Sequence, residues 1–306
     1  MGGYVLVPWE RNRENAPAGL DVAVFDGHTK PPEASVLERV EFYVLPYVHF
    51  DREAARSSVR LLGHLPRLRA VQTLTAGYDH LVGRLPPDVT LCNGRGLHDA
   101  STAEHALALL LAAQRELPRW FAAQQRRVWE PEATGSLADS RVLIVGYGSI
   151  GAAIERRLLA CDAEVVRVAR HARPDEDVHP VAELPDLLPG CDIVVLVAPL
   201  TEDTRGLLGP RELGLLPDGA LVVNVGRGPV LDTAALRAEQ GRIRAALDVT
   251  DPEPLPSDDP LWTTPGVVIT PHVAGGSATF YPRARRFVDT QLQRWATGQQ
   301  LHNVVM

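Results

Sequence analysis

Three short segments carry residues whose chemistry belongs together. VVNVGRGPVLD places Arg227 just beyond an apolar run, LDVTDPEPLP places Glu253 in a proline-dense loop, and VVITPHVAGG places His272 after a third run. A guanidinium fork matches the planar geometry of a carboxylate. An imidazole exchanges protons near neutral pH, and a carboxylate beside it favours its charged form. These are the groups that hydride transfer to a 2-keto acid requires. Singly, each has a duller reading: a surface arginine in a turn, a structural histidine, a solvated glutamate. Jointly, in this order and each after a strand, they read as a site at the carboxyl ends of an open α/β sheet.

A second constellation precedes them. In VLIVGYGSIG, Val142 to Gly151, a strand-like run meets Gly146, Gly148 and Gly151, and a helix pattern, SIGAAIERRLLA, opens. The first glycine suits a tight turn, the second a close approach of backbone to phosphate, the third close helix–strand packing. The helix start then offers its amides and positive dipole end to a pyrophosphate. Ile150, Ile154 and Leu158 share one helical face. The next strand reads EVVRVARHAR, so Ala169 stands where an acidic residue would accept a ribose 2′-hydroxyl. Arg170, His171 and Arg173 follow. Losing that carboxylate removes repulsion against a 2′-phosphate, which arginine can bind bidentately. NADP(H) is therefore expected over NAD(H), although Asp175, Glu176 and Asp177 pull the other way.

Composition bounds the alternatives. The 306 residues suffice for about two domains, and 45% apolar content supports a sizeable core. A net charge of -7 argues against nucleic acid or an anionic membrane as partner. No apolar run reaches the length of a membrane span. The N-terminal MGGYVLVPWERN reads as a first strand rather than a signal peptide. Cys92, Cys161 and Cys191 lack CxxC spacing and suit a reduced cytoplasmic protein, as small buried residues without a metal. Lys30 is the only lysine and lies in a polar stretch. Schiff-base chemistry and a Tyr/Lys dehydrogenase pair are both disfavoured.

The elements that must position these groups alternate in type. Strands are expected at Tyr4–Val7, Val22–Phe25, Phe42–Leu45 and Val71–Leu74, with a helix at Arg52–Leu62. A long helix, apolar nearly all round, is expected from a Ser101 or Thr102 cap with Glu104 in its first turn, to be buried by a domain core or by a subunit interface. Six further strands are expected at Val142–Val145, Glu164–Val168, Ile193–Val197, Leu221–Asn224, Ala245–Val249 and Val267–Ile269. Several are almost wholly apolar, as strands covered on both faces are. The fold class is α/β, with a doubly wound parallel domain. A last helix is expected in YPRARRFVDTQLQRWATGQ.

With the glycine loop and the three segments, TAGYDHL (75–81), STAEHALAL (101–109), APLTEDTRGLL (198–208) and DPLWTTPGVVITPHVAG (259–275) resemble the D-2-hydroxyacid dehydrogenase family, in family order. The resemblance implies a Rossmann cofactor domain (98–275) inserted into a smaller flavodoxin-like substrate domain (1–97 plus 276–306), closing about the substrate to exclude water. It implies that Arg227 grips the substrate carboxylate and polarises its keto oxygen, and that His272 gives or takes the proton there. Glu253 would hold the imidazole, and the nicotinamide would deliver hydride. Ala76 and Gly77 would bind the carboxylate through backbone amides. The implied cofactor set is Thr102, Gly146, Gly148, Ser149, Ile150, Gly151, Arg170, His171, Arg173, Pro199, Thr204, Val225, Asp248, which would contact the nicotinamide amide, and Gly275.

A homodimer through the helix starting near Ser101 is implied too. Glyoxylate and hydroxypyruvate lead as substrates. Two departures from the family's pattern stand near the substrate side: Thr250 where many relatives have an aromatic residue, and SATFYPRARR after Gly275–Gly276. Tyr47 or Trp129 could line the pocket, with core packing the expected alternative. Competing readings are a formate dehydrogenase-like enzyme, against which Glu253 argues, a phosphoglycerate dehydrogenase, for which no regulatory domain follows residue 306, and a nucleotide-sensing corepressor-like protein.

Overall fold

The computed structural model describes residues 4–48 and 51–306, so Met1, Gly2 and Gly3 of the expected first strand lie outside the described residues. The chain divides into two compact units, Met1–His98 with Gly276–Met306, and Asp99–Gly275.

The first unit is built on five parallel strands: β1 (Tyr4–Val7), β2 (Asp21–Val24), β3 (Val40–Val44), β4 (Ala70–Gln72) and β5 (Thr90–Cys92), in the order β2-β1-β3-β4-β5. That is the flavodoxin-like order. Alternate residues feed two separate clusters. Leu6, Tyr43, Val71 and Leu91 pack on one side. Val5, Val7, Phe42, Val44 and Ala70 pack on the other, against Phe280, Ala284, Val288 and Leu292 of the helix Phe280–Ala296. The sequence expectation names four of these strands and passes over β5. Its three residues, TLC, are too few to show alternation. The expected helix at 52–62 ends as a helix at Arg60 and tightens into a 3-10 turn over Leu61–His64.

The second unit holds seven strands: β6 (Arg141–Val145), β7 (Glu164–Ala169), β8 (Val178–Pro180), β9 (Ile193–Leu196), β10 (Leu221–Asn224), β11 (Arg244–Leu247) and β12 (Val267–Ile269). Their order is β12-β11-β10-β9-β6-β7-β8, with every neighbouring pair parallel. Counted from its own first strand, six of these form the 3-2-1-4-5-6 Rossmann arrangement, and β12 extends it. Leu143, Val145, Val194, Leu196, Val222 and Leu247 face one cluster. Val142, Ile144, Ile193, Val195, Val223 and Ala246 face the other. Burial on both faces explains why these strands read as unbroken apolar runs. The unexpected β8 is a short edge strand ending in proline, a position where the ladder tolerates one.

The long helix runs from Asp99 to Gln114. It therefore starts before Ser101 and Thr102, which lie inside its first turn and do not cap it. Asp99 supplies the first-turn carboxylate that the helix dipole favours. Within this chain its burial is one-sided. Ala103, Ala106, Leu109, Leu110 and Ala113 enter the core, whereas Leu107 and Leu111 are half-buried and Ala108 is exposed. Among the described residues no helix is long and apolar enough to cross a membrane.

Candidate active site

Arg227, Glu253 and His272 all belong to the second unit, on the segments that leave β10, β11 and β12. These strands are neighbours, so their carboxyl ends lie side by side.

Asn224, fully buried at the end of β10, builds the turn that carries Arg227. Its Oδ1 accepts the Gly226 amide at 3.0 Å, and its Nδ2 donates to the Arg227 carbonyl at 3.0 Å. The Arg227 side chain is steered by Nη1 donating to the Gly226 carbonyl at 2.9 Å. Gly228 lets this turn lie against the segment leaving β11: a Cβ there would fall 1.9 Å from the Thr250 carbonyl oxygen. Thr250 is buried, its hydroxyl donating to the Pro252 carbonyl at 2.9 Å.

His272 Nδ1 lies 2.7 Å from Glu253 Oε1. A carboxylate can only accept, so Nδ1 carries a proton and Nε2 is the ring nitrogen that can exchange one. His272 has φ +52, left-handed backbone that a side chain adopts only when held. Asp248 holds it. Its carbonyl accepts the His272 amide at 2.7 Å. Its carboxylate accepts Thr270 Oγ1 at 2.6 Å and the amides of Val273 and Ala274 at 2.9 Å each. Burial pushes Asp248 up, but His105, Thr270 and the two amides outweigh it and bring it down to about 2. The resemblance gives Asp248 to the nicotinamide amide. Here its carboxylate is only 1% exposed and is engaged by the segment leaving β12 and by His105.

The glycine loop fits a dinucleotide. Gly146 has φ +104, and a Cβ on it would lie 2.4 Å from the Ala198 amide nitrogen. Gly148 precedes the helix Ser149–Leu159 with no side-chain cap on the first-turn amides. Space around Gly148 is open for a phosphate to approach. Gly151 packs against Ile144 and the Gly146 carbonyl. Ser149 Oγ donates to Asp99 at 3.3 Å, and half-buried Ile150 packs on the core. Thr204 Oγ1 closes the loop from Pro199 by donating to its carbonyl at 2.7 Å.

Beyond Ala169, the last residue of β7, Arg170 pairs with Asp203 at 2.9 Å. Arg173 pairs with Glu176 at 3.1 Å and donates to the Tyr147 carbonyl at 2.5 Å, while His171 is exposed. Thr102 and Val225 are buried, and Gly275 follows the clamped loop.

In the first unit, the Thr75–Gly77 loop is fastened by its carbonyls. Asn93 Nδ2 donates to Ala76 at 2.8 Å, Thr75 Oγ1 to Gly77 at 2.8 Å, and the Gly94 amide to Thr75 at 2.8 Å. Tyr47 packs on Phe280 with centroids 4.1 Å apart and also lines a cleft of about 360 Å³ with Leu45, Leu74 and Arg84. Trp129 does neither of the things expected of it. It is 93% exposed, beyond the end of the helix Leu117–Arg126. Burial pushes the Cys92 and Cys191 thiols up to about 11, which makes them poor nucleophiles. Among the described residues no cluster of His, Cys, Asp or Glu could hold a metal ion. The sequence reading missed Asn224, which works within its own turn, and Asn93 and His105, whose work depends on contacts distant in the chain.

A Rossmann unit bearing an arginine and a paired histidine and glutamate at adjacent strand ends defines an NAD(P)-dependent oxidoreductase acting on 2-keto and 2-hydroxy acids. The family described as D-isomer specific 2-hydroxyacid dehydrogenase, NAD binding domain, matches residues 107–274. The chain is 35% identical over 245 residues to glyoxylate/hydroxypyruvate reductase B of Citrobacter koseri, covering 73% of this chain and 72% of that protein. It is 32% identical over 308 residues to the glyoxylate reductase of Aeropyrum pernix, covering 93% and 89%. A solved D-isomer specific 2-hydroxyacid dehydrogenase from Xanthobacter autotrophicus Py2, in complex with NADPH and MES, is 31% identical with a TM-score of 0.79, covering 100% of this chain and 98% of that one. The chain belongs to the D-2-hydroxyacid dehydrogenase family.

Proposed function

We propose that the protein is an NADPH-preferring reductase of small 2-keto acids, with glyoxylate and hydroxypyruvate the leading substrates. The 2.7 Å pair of His272 and Glu253 carries the reading. Bound NADPH supplies the hydride for the carbonyl carbon. Arg227 takes the substrate carboxylate in its planar fork and draws charge toward the keto oxygen. His272 Nε2 donates the proton that the reduced oxygen needs and removes it in the reverse direction. Glu253 fixes the tautomer and stabilises the imidazolium. The amides of Ala76 and Gly77 are assigned to the same carboxylate. Gly146, Gly148, Ser149, Ile150 and Gly151 hold the pyrophosphate; Thr102, Pro199, Thr204, Val225 and Gly275 line the cofactor.

The preference for NADPH rests on Ala169 in place of an acid and on Arg170, His171 and Arg173 after it. The solved complex with NADPH supports that preference, and the relatives named as glyoxylate reductases support the choice of substrates. We assign the protein to the cytoplasm and to a homodimer through the Asp99–Gln114 helix, whose Leu107 and Leu111 remain half-buried.

Steady-state oxidation of NADPH and NADH against glyoxylate, hydroxypyruvate, pyruvate and bulkier 2-keto acids tests the reading. A higher kcat/KM with NADPH and a small acid is expected. His272→Ala should lower kcat by about 10²–10⁴-fold, the usual worth of a placed acid–base group. Near-normal turnover of that variant, or no reduction of any acid by the parent, refutes the assignment.

A further inference from the structure

The loop that presents His272 is clamped from a direction the acid–base pair does not use. Asp248 anchors both sides of His272 through its carbonyl, through Thr270, and through the amides of Val273 and Ala274. A carboxylate so buried must be matched by donors, or its desolvation works against the fold. One donor comes from a different element. His105, on the Asp99–Gln114 helix, places Nε2 at 3.0 Å from Thr270 Oγ1 and 3.2 Å from Asp248 Oδ1. The Thr270 hydroxyl proton is already spent on Asp248, and the carboxylate can only accept. Nε2 must therefore carry a proton and donate into both oxygens.

We propose that His105 is a positioning residue of the acid–base loop: its Nε2–H ties Thr270 and Asp248 to the helix and so fixes where His272 stands. The inference rests on the reading of His272 as the acid–base group. His105 is assigned no contact with substrate or cofactor. It acts by keeping a left-handed residue, with φ +52, in the one conformation that aims its ring. The ring is 23% exposed, so replacing it removes a donor without opening a large cavity.

Two variants test this, His105→Leu, which removes the donor, and His105→Gln, which keeps an N–H on a side chain of similar reach. In the leucine variant kcat should fall about 10- to 100-fold, the cost of ångström-scale misplacement. The KM for the keto acid and the NADPH affinity, read by fluorescence, should stay within about threefold, because neither ligand is gripped by the clamp. The glutamine variant should recover most of kcat. Amide hydrogen exchange at His272, Val273 and Ala274 reads the clamp without any substrate; it should quicken in His105→Leu and return toward the parent in His105→Gln.

Unchanged kcat and exchange in the leucine variant would overturn the proposal. So would equal damage in both variants, or equal loss of folding and NADPH binding, since each marks a merely architectural histidine. A parent enzyme that reduces no 2-keto acid would instead defeat the functional reading, and the exchange measurement would still decide whether the clamp exists.

Discussion

Gly228→Ala tests whether the arginine and the glutamate are held in register by direct contact between their loops. An ideal Cβ at this position lies 1.9 Å from the Thr250 carbonyl oxygen, 2.2 Å from its carbon and 2.9 Å from the Asp251 nitrogen. These are backbone atoms, so no side-chain rotation relieves the clash. Ordinary contact begins at 3.4 Å, and the two segments must part by about 1.5 Å to admit one methyl group. Arg227 precedes the glycine directly and Glu253 follows Thr250 by three residues, so that opening falls inside the constellation. A displacement of about 1 Å in a catalytic arrangement costs about 10²-fold, or about 2.7 kcal/mol of transition-state stabilisation. The expected result is a loss of about 10²-fold in kcat/KM for the keto acid, with NADPH affinity nearly unchanged. Stability should fall by about 1–3 kcal/mol, as overpacked sites do. Gly214→Ala is the control: it lies in the helix Pro210–Leu215 with nothing within 4 Å of its Cβ, and a gain of up to about 1 kcal/mol is expected there. Steady-state kinetics beside thermal denaturation separates the effects. A Gly228→Ala enzyme with kcat/KM within about threefold of the parent refutes the idea that this contact sets the site.

Three further outcomes follow from the same geometry. The double variant Arg170→Ala, Arg173→Ala should lower kcat/KM for NADPH by about tenfold or more while leaving NADH within about threefold, since charge-assisted bonds to a phosphate are lost; equal losses with both cofactors would assign the arginines elsewhere. Asp248 titrates from an ordinary 3.8 down to about 2, so its contribution is complete above pH 3.8 and disappears as pH falls through 2. In acid denaturation, Asp248→Asn should therefore lack about 2 kcal/mol of the parent's stability change across that window; parallel curves would contradict the shift. Phe121 and Trp129, 60% and 93% exposed, are exposed aromatics near the helix assigned to the dimer. Phe121→Ser with Trp129→Ser should move sedimentation toward a monomer, and an unaltered dimer would place the interface elsewhere.

What the sequence made legible was whatever repeats or stays local. Strands covered on both faces show as VLIV and IVVL, and the parallel order of the second unit follows from strands alternating with helices. The glycine loop is legible because its demands fall within six residues of one turn. Short elements were not: β5 and β8 hold three residues each and carry no periodic signal. The start of the long helix was misplaced because three polar residues within four positions, Asp99, Ser101 and Thr102, offer competing first-turn chemistry. Only packing chooses among them.

The same division runs through the site. Arg227, Glu253 and His272 announce themselves by type, each after a strand, and the structure brings Glu253 onto His272. The residues that aim them do not, because an asparagine ending a strand or a histidine inside an apolar helix is ordinary in sequence. Asn224 matters because the turn doubles back onto it within three residues, and His105 because its helix passes the end of β12 more than 160 residues later in the chain. A left-handed His272 is tolerable only if several bonds agree on its position. Asp248 supplies them at a single buried point, and that point needs a donor of its own. The chemistry of this family's site is therefore written in the loops, while its precision is held by buried polar groups on the elements beneath them. Substitutions at those groups should change turnover before they change binding.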